Sequence, residues 1–201
     1  YPWFDDAVRE ALMSLPGIGI AAGRLEESKS MLLASAALIQ NGLLPKRFSS
    51  SDPREYDSAD SSFWFIWAAQ KYWEATKDIE FLKQIKPHVE KIVTAFQNGI
   101  KETDPKSQLE IRMDTDGLIW AASNRCGLTW MNSKAGDWTA TPRKGKPVEL
   151  QALWYNALQF CSEICLKIDN NDPGWSKLGE KVRESFNTLF WNSQNNYLYD
   201  V

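Results

Sequence analysis

Apolar residues at helical spacing are the feature of this sequence that most constrains its fold. One helix is predicted from Ile79 to about Gly99, because seven apolar residues fall on one of its faces and Asp78 is suited to cap its start. The same periodicity predicts five more helices: Asp5 to about Ile20 with a bend at Pro16-Gly17, Arg24 to Gln40, a helix capped by Asp57 or Ser58, Val148 to about Ile168, and Pro173 to about Trp191. We therefore predict an all-α fold in which helices follow one another in pairs.

The size and charge of the chain limit its partners. Its 201 residues are 43% hydrophobic and 24% charged, which is ordinary for a soluble globular protein. A formal net charge of -3 leaves no basic surface for nucleic acid or an anionic membrane. No apolar run reaches the ~18 residues of a membrane span, and the first 20 residues lack a basic start followed by an apolar run. We expect a cytoplasmic protein with no nucleic-acid or membrane partner.

Cysteine and histidine give no indication of a metal site. Three cysteines are too few for a disulfide framework. Cys161 and Cys165 stand one helical turn apart, and we expect both to be buried thiols. The single histidine, His88, and the scattered cysteines lack the spacing of metal ligands. We expect neither a metal nor a cofactor.

The segment from Gly127 to Ala157 joins a loop rich in Trp, Thr, Gly and Pro to the start of a helix. It carries flat aromatic rings, several cations and several acceptors, namely Trp130, Trp138, Arg143, Lys144, Lys146, Asn132, Asp137 and Glu149. Such a set suits a polyhydroxylated ligand. Glu149 has a second interpretation, since a carboxylate in the first turn stabilises the helix dipole.

Four motifs occur along the chain in the order in which they occur in one protein family. TWMN and TPRKGKPVELQALWYNAL resemble the TWMD and TPR-x-GK-x-VE-[IL]-x-ALWYNAL signature of the amylo-α-1,6-glucosidase domain of glycogen debranching enzymes. YPWFDDAVREALMSLPGI, GLLPKRF and YDSADSSFWFI are similar to three further motifs of that family. Four ordered motifs over residues 1 to about 160 are far more specific than any single motif.

The resemblance implies an (α/α)6 toroid that hydrolyses α-1,6-linked glucose branches of α-glucans by an inverting mechanism. Two carboxyl groups are expected to do this, the Asp of TWMD as general acid and a Glu in the C-terminal half of the toroid as general base. Here the acid position is Asn132, and an amide has no titratable proton to give. Three explanations stay open: a natural departure that leaves a non-catalytic relative, a deliberate Asp→Asn substitution, or transfer of the role to Asp137.

The other family positions predict sugar contacts. Arg9-Glu10 stands where the family has the Arg-Asp expected to hold the innermost glucose, while Val8 replaces a Gly and Lys46 an Asn. The predicted substrate-binding residues are Asp6, Arg9, Glu10, Asp60, Trp64, Asp116, Trp130, Lys146 and Glu149. Without the resemblance, Asp6 is equally a helix N-terminal acid and Asp116 an Asx-turn residue. Similarly, most of the aromatic residues around Trp64 are expected in the core, since that helix is apolar nearly all round.

Six helices are about half of the twelve that a closed (α/α)6 toroid needs. We therefore expect residues 1–201 to be a single partial domain, truncated at the C-terminus, with long loops at one end of its helical hairpins. Either a missing C-terminal half or a second copy in a homodimer would complete the ring. With an amide at the acid position and the base outside the chain, no turnover is expected from the chain alone.

Three hypotheses for function follow. The first is a fragment of an amylo-α-1,6-glucosidase-like hydrolase whose partner is an α-glucan or oligosaccharide. The second is a catalytically dead α-glucan-binding module, which Asn132, Lys46 and Val8 favour. The third is a helical scaffold whose aromatic residues all belong to the core.

Overall fold

Six α-helices and seven short strands make up the described part of the chain. A computed structural model describes residues 7–48, 55–101, 108–124, 127–136 and 138–201. The helices are α1 (Val8–Leu15), α2 (Leu25–Ala36), α3 (Asp60–Thr76), α4 (Ile79–Asn98), α5 (Val148–Asp169) and α6 (Trp175–Phe190). The strands are β1 (Ile100–Lys101), β2 (Glu110–Met113), β3 (Ile119–Ala122), β4 (Lys134–Ala135), β5 (Trp138–Thr139), β6 (Trp191–Asn192) and β7 (Tyr197–Leu198).

Helices α1, α3 and α5 form an inner row of parallel neighbours. Helix α1 packs on α3, and α3 packs on α5. Along the α3–α5 contact, the rings of Phe63 and Trp154 lie 5.5 Å apart near the helix starts. Farther along, Asn156 donates to Gln70 over 2.9 Å, and the indole of Trp73 donates to Glu163 over 2.8 Å. Contacts that advance together along both helices require the helices to run in the same direction, so their first turns lie at one end, which we call the site end.

Helices α2, α4 and α6 form the outer layer. Helix α2 packs on α3 and α4, α4 packs on α3 and α5, and α6 packs on α5. The connections 37–59 and 99–147 each lead from an outer helix to the start of an inner one. The ends of α2 and α4 therefore lie at the site end, as the predicted hairpin arrangement requires.

The core explains why α3 and α5 are inner helices. Each buries ten residues, because apolar side chains occur on most of its faces rather than on a single stripe. Trp154 is fully buried and packs against Phe63 and Phe96, which joins α5 to both α3 and α4. By contrast, α4 has the one-sided apolar pattern of a surface helix, and its predicted cap is confirmed: Asp78 accepts a hydrogen bond from the amide of Phe81.

The first predicted helix is interrupted after Leu15. Pro16 has no amide proton, and the chain continues through a π-helical turn from Pro16 to Ile20, closed by a bond from the Ala21 amide to the Pro16 carbonyl. Gly19 belongs to this turn, and a Cβ there would lie 2.4 Å from the Ser28 hydroxyl oxygen. A side chain at that position would force the Ser28 hydroxyl away from the Arg24 carbonyl, to which it donates over 2.7 Å, so the glycine leaves room for this contact at the start of α2.

Three predicted helix boundaries were wrong. Helix α2 ends at Ala36 and does not reach Gln40. Helix α3 begins at Asp60, and its N-cap residue, Ala59, has no side chain that can cap. Helix α6 begins at Trp175, after Pro173, because the Asp172 carboxylate accepts hydrogen bonds from three successive backbone amides at 174–176 and thereby fixes the start.

The segment IRMDTDGLIWAA, predicted as a short strand or an inward loop, forms strands. Strand β2 pairs with both β1 and β3 in an antiparallel sheet, with Ile111 opposite Ile100 on one side and Ala121 on the other. The buried Gln151 of α5 fastens this sheet, since its amide group accepts from the Ile119 amide and donates to the Ile119 carbonyl, each over 2.7 Å. The sheet is thereby held against the start of α5.

No helix of the described residues is both long enough and apolar enough to cross a bilayer.

We expect Gln151→Ala to reduce the free energy of unfolding by about 2–4 kcal/mol, because it leaves two buried backbone groups of Ile119 without partners. Urea unfolding followed by circular dichroism measures the change. Gln97→Ala, at an exposed position of α4, is the matched control and should shift stability by less than about 0.5 kcal/mol. Equal losses in both variants would contradict the fastening role of Gln151.

Candidate functional site

A buried ion pair joins the first turns of α1 and α3 at the site end. The Arg9 guanidinium donates through Nε to both carboxylate oxygens of Asp60, over 2.9 and 3.0 Å, and through Nη2 to the Ser58 hydroxyl over 3.0 Å. Ser58 in turn donates to Asp60 over 2.9 Å. Asp60 is 1% exposed and Arg9 is 6% exposed, so both charges are shielded from water. Two predicted sugar-binding residues therefore lie in contact, but each mainly binds the other.

Burial raises the pKa of Asp60 above its ordinary value. The charge and hydrogen bonds of Arg9 and Ser58 oppose that rise, whereas the like charge of Glu149 adds to it. The influence of Glu149, in the first turn of α5, is consistent with the meeting of all three inner helices at this end.

A cleft of about 160 Å³ opens beside the ion pair. It is lined by Ala7, Arg9, Glu10, Lys46, Arg47, Ser61 and Asn132. The loop carrying Lys46 is held in place because the Val8 amide donates to the Lys46 carbonyl over 3.1 Å. The loop carrying Asn132 is held because the Ala59 amide donates to the Leu128 carbonyl over 2.7 Å.

Gly127 gives the second loop its tight shape. A Cβ at this position would lie 2.5 Å from the Met131 carbonyl oxygen, so a larger residue would open the turn that presents Asn132.

The predicted residues Arg9, Glu10 and Asn132 line this one cleft. The Glu10 side chain is 63% exposed and its carboxylate lies 3.6 Å from Arg9 Nη1, so a solvated charge faces the opening. The Asn132 amide offers both a donor and an acceptor but no titratable proton. Asp6 and Asp137, which were also predicted here, lie outside the described residues.

Lys46 brings a cation to the cleft, and that cation has protein partners. Its ammonium nitrogen lies 3.6 Å from Asp57 and 3.8 Å from Glu55. The departure from the Asn of the resembled family therefore adds a charge that local acids partly balance.

Glu149 is held by Arg143. Two guanidinium nitrogens donate to its two oxygens over 2.5 and 2.7 Å, and Nη1 also donates to Thr129 over 3.1 Å. The other edge of Arg143 contacts the Asp200 carboxylate over 2.7 and 2.9 Å, while the Asp200 carbonyl accepts from the Val148 amide. The hydrogen bond to Glu149 is the main cause of the raised pKa of Arg143. Glu149 therefore does more than complement the helix dipole, since it belongs to a fixed carboxylate–guanidinium–carboxylate group.

Lys146 and Asp116 contact each other over 2.6 Å, and Lys146 also contacts Asp114 over 3.0 Å. Burial acts to raise the pKa of Asp114, but the hydrogen bond and charge of Lys146, with Arg112, hold it below its ordinary value. Asp116 also accepts from the Leu118 amide, which confirms its interpretation as an Asx-turn residue. These two predicted ligand residues are mainly occupied in fixing the β2–β3 turn.

The aromatic residues predicted at the site differ in exposure. Trp64 lies one turn beyond Asp60 on α3, half-buried, with its ring edge-on to Trp67 at 5.3 Å. Trp130 is 56% exposed and Trp138 is 66% exposed. Trp130 is only two residues from Asn132, so the loop that lines the cleft also presents an open ring face to solvent.

A group of possible metal ligands lies elsewhere, between α4 and α5. Atoms of Glu90, Cys165 and Asp169 lie within 4.8 Å of one another. The Lys86 ammonium contacts both carboxylates over 2.8 and 3.0 Å and supplies the positive charge that a metal would bring. Burial raises the pKa of Cys165 to about 11, so its thiol stays protonated and donates to Glu90. Cys161 and Cys165 are buried free thiols, as predicted.

Sequence reasoning did not find the residues that hold the site together. The sequence predicts Arg143 only as a donor to ligand, although its position six residues before Glu149 and beside the helix start also indicates this pairing. Ser58 was considered only as a helix cap. Asp200 gave no signal, because its contact with Arg143 spans 57 residues of sequence.

Comparison with known proteins finds a family model and a relative that match this chain. A family model described as amylo-alpha-1,6-glucosidase matches residues 1–201. The glycogen debranching enzyme of Saccharomyces cerevisiae is 26% identical over 205 residues, an alignment covering 78% of this chain and 13% of the yeast protein. The chain thus spans a small part of that relative.

Two solved structures have a similar fold. The GH78 family rhamnosidase of Bacillus sp. GL1 has a TM-score of 0.68 at 15% identity, over 98% of this chain and 19% of that one. The rhamnosidase from Klebsiella oxytoca with rhamnose bound has a TM-score of 0.61 at 13% identity, over 96% and 34% of the two chains. At these identities the likeness establishes the fold alone, and it confirms the prediction of a helical, toroid-like architecture.

We expect Arg9→Gln to lower the free energy of unfolding by about 3–5 kcal/mol, because it leaves the Asp60 carboxylate buried without its cation. Arg24→Gln is the matched control: Arg24 pairs with Glu27 on the surface of α2, and its loss should cost no more than about 1 kcal/mol. Chemical denaturation of the two variants gives both values. A small effect of Arg9→Gln would mean that the pair does not join α1 to α3.

Proposed function

This chain belongs to the amylo-alpha-1,6-glucosidase family, and we propose that its site end binds the terminal glucose of an α-1,6 branch of an α-glucan. The observation that carries the proposal is the cleft in which Arg9, Glu10 and Asn132 come together from two separate parts of the chain. A cleft of about 160 Å³ is smaller than the roughly 300–1,000 Å³ of common ligand pockets and suits one sugar ring.

Each residue has a proposed role. Glu10 and Asn132 supply acceptors, and Asn132 and Arg9 supply donors, for the hydroxyl groups of the glucose. Trp130 provides an exposed ring on which a sugar face can lie. Asp60 and Glu149 act through the cations they hold, Arg9 and Arg143, and fix the walls of the cleft.

We propose that the chain alone binds but does not hydrolyse its ligand. Inverting hydrolysis needs an acid and a base ~6.5–9.5 Å apart around a water molecule. Asn132 stands at the acid position and cannot donate a titratable proton. Asp60 is paired with Arg9, and Glu149 is paired with Arg143, so neither is placed to protonate a leaving oxygen.

Completion of the ring is part of the proposal. Three inner and three outer helices among the described residues amount to half of a twelve-helix toroid. The second half would be supplied by further chain or by a second copy of this one in a homodimer. Either would close the cleft opposite Asn132, but only further chain would bring the general base, which the family resemblance implies lies outside residues 1–201. Residues 1–201 are then one partial domain.

A glucan-binding module without catalysis is the second candidate, and the amide at position 132 is the observation that favours it. The two candidates make different predictions for a carboxyl at position 132. In a hydrolase, a carboxyl at this position would restore chemistry once the ring is complete. In a binding module, it would not.

The binding prediction is tested with isomaltose, a disaccharide with one α-1,6 bond, and read through tryptophan fluorescence. We expect a saturable change in the wild-type chain and no release of glucose. Trp130→Ala should weaken binding about tenfold, which corresponds to ~1.4 kcal/mol. Trp191→Ala is the matched control, because Trp191 is 48% exposed and does not line the cleft, and it should bind normally. A folded wild-type chain that shows no change would refute the site.

The catalytic prediction concerns Asn132→Asp in the complete ring. We expect it to raise the rate of glucose release by about 10²–10⁴, the usual contribution of a positioned general acid. Ser133→Asp is the control, because it adds the same charge at the exposed neighbouring position. No gain in Asn132→Asp, with isomaltose still bound, would favour the binding module over the hydrolase.

A further inference from the structure

Residues 199–201 lie across the loop that leads into α5. The Asp200 carbonyl accepts a hydrogen bond over 2.9 Å from the amide of Val148, the first residue of that helix. A Cβ on Gly145 would lie 2.7 Å from a methyl carbon of Val201, so the two segments are in close contact. The backbone of Asp200 is therefore held beside the loop, and its side chain starts from a defined position.

The Asp200 side chain holds one edge of the Arg143 guanidinium. Its two carboxylate oxygens accept from Nε over 2.9 Å and from Nη2 over 2.7 Å. A second edge of the guanidinium binds the two oxygens of Glu149 over 2.5 and 2.7 Å. Paired hydrogen bonds between a carboxylate and a guanidinium fix direction as well as distance. With carboxylates on two edges, the guanidinium cannot turn about either contact alone.

Arg143 in turn contacts the loop that lines the cleft. Its Nη1 donates to the hydroxyl oxygen of Thr129 over 3.1 Å, and Thr129 is 2% exposed. Trp130 follows Thr129 directly, and Asn132, three residues after Thr129, lines the cleft. The position of Arg143 therefore affects the loop that carries two of the proposed sugar contacts.

A neighbouring residue anchors the same loop to a different helix. The Leu128 carbonyl accepts from the Ala59 amide over 2.7 Å, which ties the loop to the start of α3. The contact between Thr129 and Arg143 ties it to the start of α5 and to residues 199–201. Adjacent residues are thus held to two inner helices, and the second anchor depends on how the guanidinium is oriented.

The ion pair between Arg143 and Asp200 is buried on one side only. The Arg143 side chain is 5% exposed, whereas the Asp200 side chain is 61% exposed. Ion pairs with an exposed partner contribute little to folding stability. Without the Asp200 carboxylate, Arg143 would keep its contact with Glu149 but would be less strictly oriented. Asp200 therefore has more influence on the orientation of Arg143 than on the stability of the fold.

We propose that Asp200 is a positioning residue for the cleft: it orients Arg143, and Arg143 holds the loop of Trp130 and Asn132 in the conformation that binds sugar. This inference rests on the proposed function and adds to it a residue that does not line the cleft. It predicts that loss of the Asp200 carboxylate weakens ligand binding and loosens the loop without a comparable loss of stability.

The first measurement is isomaltose binding by Asp200→Asn, which keeps the size of the side chain and the backbone contact but removes the charge. We expect the affinity to fall about tenfold. Glu180→Gln is the matched control, because Glu180 is 51% exposed, binds Arg183 over 3.0 and 2.5 Å and does not line the cleft. It should bind isomaltose within about twofold of wild type. Asp200→Glu, which keeps the charge, should recover most of the affinity.

The second measurement is hydrogen exchange of residues 127–132, followed by mass spectrometry without any sugar. In Asp200→Asn these amides should exchange about tenfold faster than in wild type, because the loop opens locally more often. Glu180→Gln should leave them unchanged, and the urea midpoint of unfolding should be the same in both variants. A residue that only stabilised the fold would instead lower the midpoint and speed exchange along the whole chain.

The two measurements separate this inference from the proposed function. Unchanged exchange of residues 127–132 in Asp200→Asn would overturn the role of Asp200, and so would unchanged isomaltose affinity or an equal loss of affinity in Asp200→Glu. A lowered urea midpoint with faster exchange throughout would overturn it as well. If wild type binds no isomaltose, the proposed function fails, and faster exchange confined to the loop would still support the contact of Asp200 with Arg143 as its anchor.

Discussion

The contact between Arg9 and Asp60 is the interaction on which the site end depends. It joins the first turns of two inner helices, where the positive ends of both helix dipoles come together. The Asp60 carboxylate compensates for that positive potential, and Arg9 compensates for the carboxylate. Removing either charge would leave the other buried without a partner, which is costly, so the pair holds the first turns of α1 and α3 together. The shape of the cleft depends on the contact between Arg9 and Asp60, because Arg9 forms part of the cleft wall.

Arg143 performs the equivalent task for α5, with a different geometry. It is bound by carboxylates on both of its edges, one from the nearby first turn of α5 and one from Asp200, so it connects the start of α5 to a segment 57 residues away in sequence. The same loop then passes to Lys144 and pairs with β3 at Gly145. The loop that holds the start of α5 is therefore also anchored to the edge of the β1–β2–β3 sheet.

Local patterns predicted the helices well, but they did not predict the long-range contacts between them. Helix α4 followed from its apolar stripe and the Asp78 cap, and the aromatic residues on every face of α3 indicated an inner helix. Those features depend on residues within one turn of each other. The Arg9–Asp60 and Arg143–Asp200 contacts span 51 and 57 residues, and no local pattern encodes such pairings. Helix α6 begins at Trp175 and not at Pro173. The reason is local, because the Asp172 carboxylate accepts hydrogen bonds from the backbone amides just after Pro173. Arg9, Glu10 and Asn132 were placed together in advance only because a family resemblance relates distant motifs to one site.

The charge around Asn132 bears on what this position can do. Arg9, Lys46 and Arg47 line the cleft with it, and Glu10 is the carboxylate among the described lining residues. Cations close to a carboxyl lower its pKa, whereas a general acid needs a raised pKa to keep its proton near neutral pH. Arg9 is paired with Asp60, and Lys46 lies near Asp57 and Glu55, so these two cations would not act unopposed on a carboxyl at 132. Under the proposed function, the opposite half must bring negative charge as well as a base, because one carboxylate can both activate water and raise the pKa of the acid across the cleft. The amide of Asn132, by contrast, carries no charge and can form hydrogen bonds whatever charge the opposite half brings.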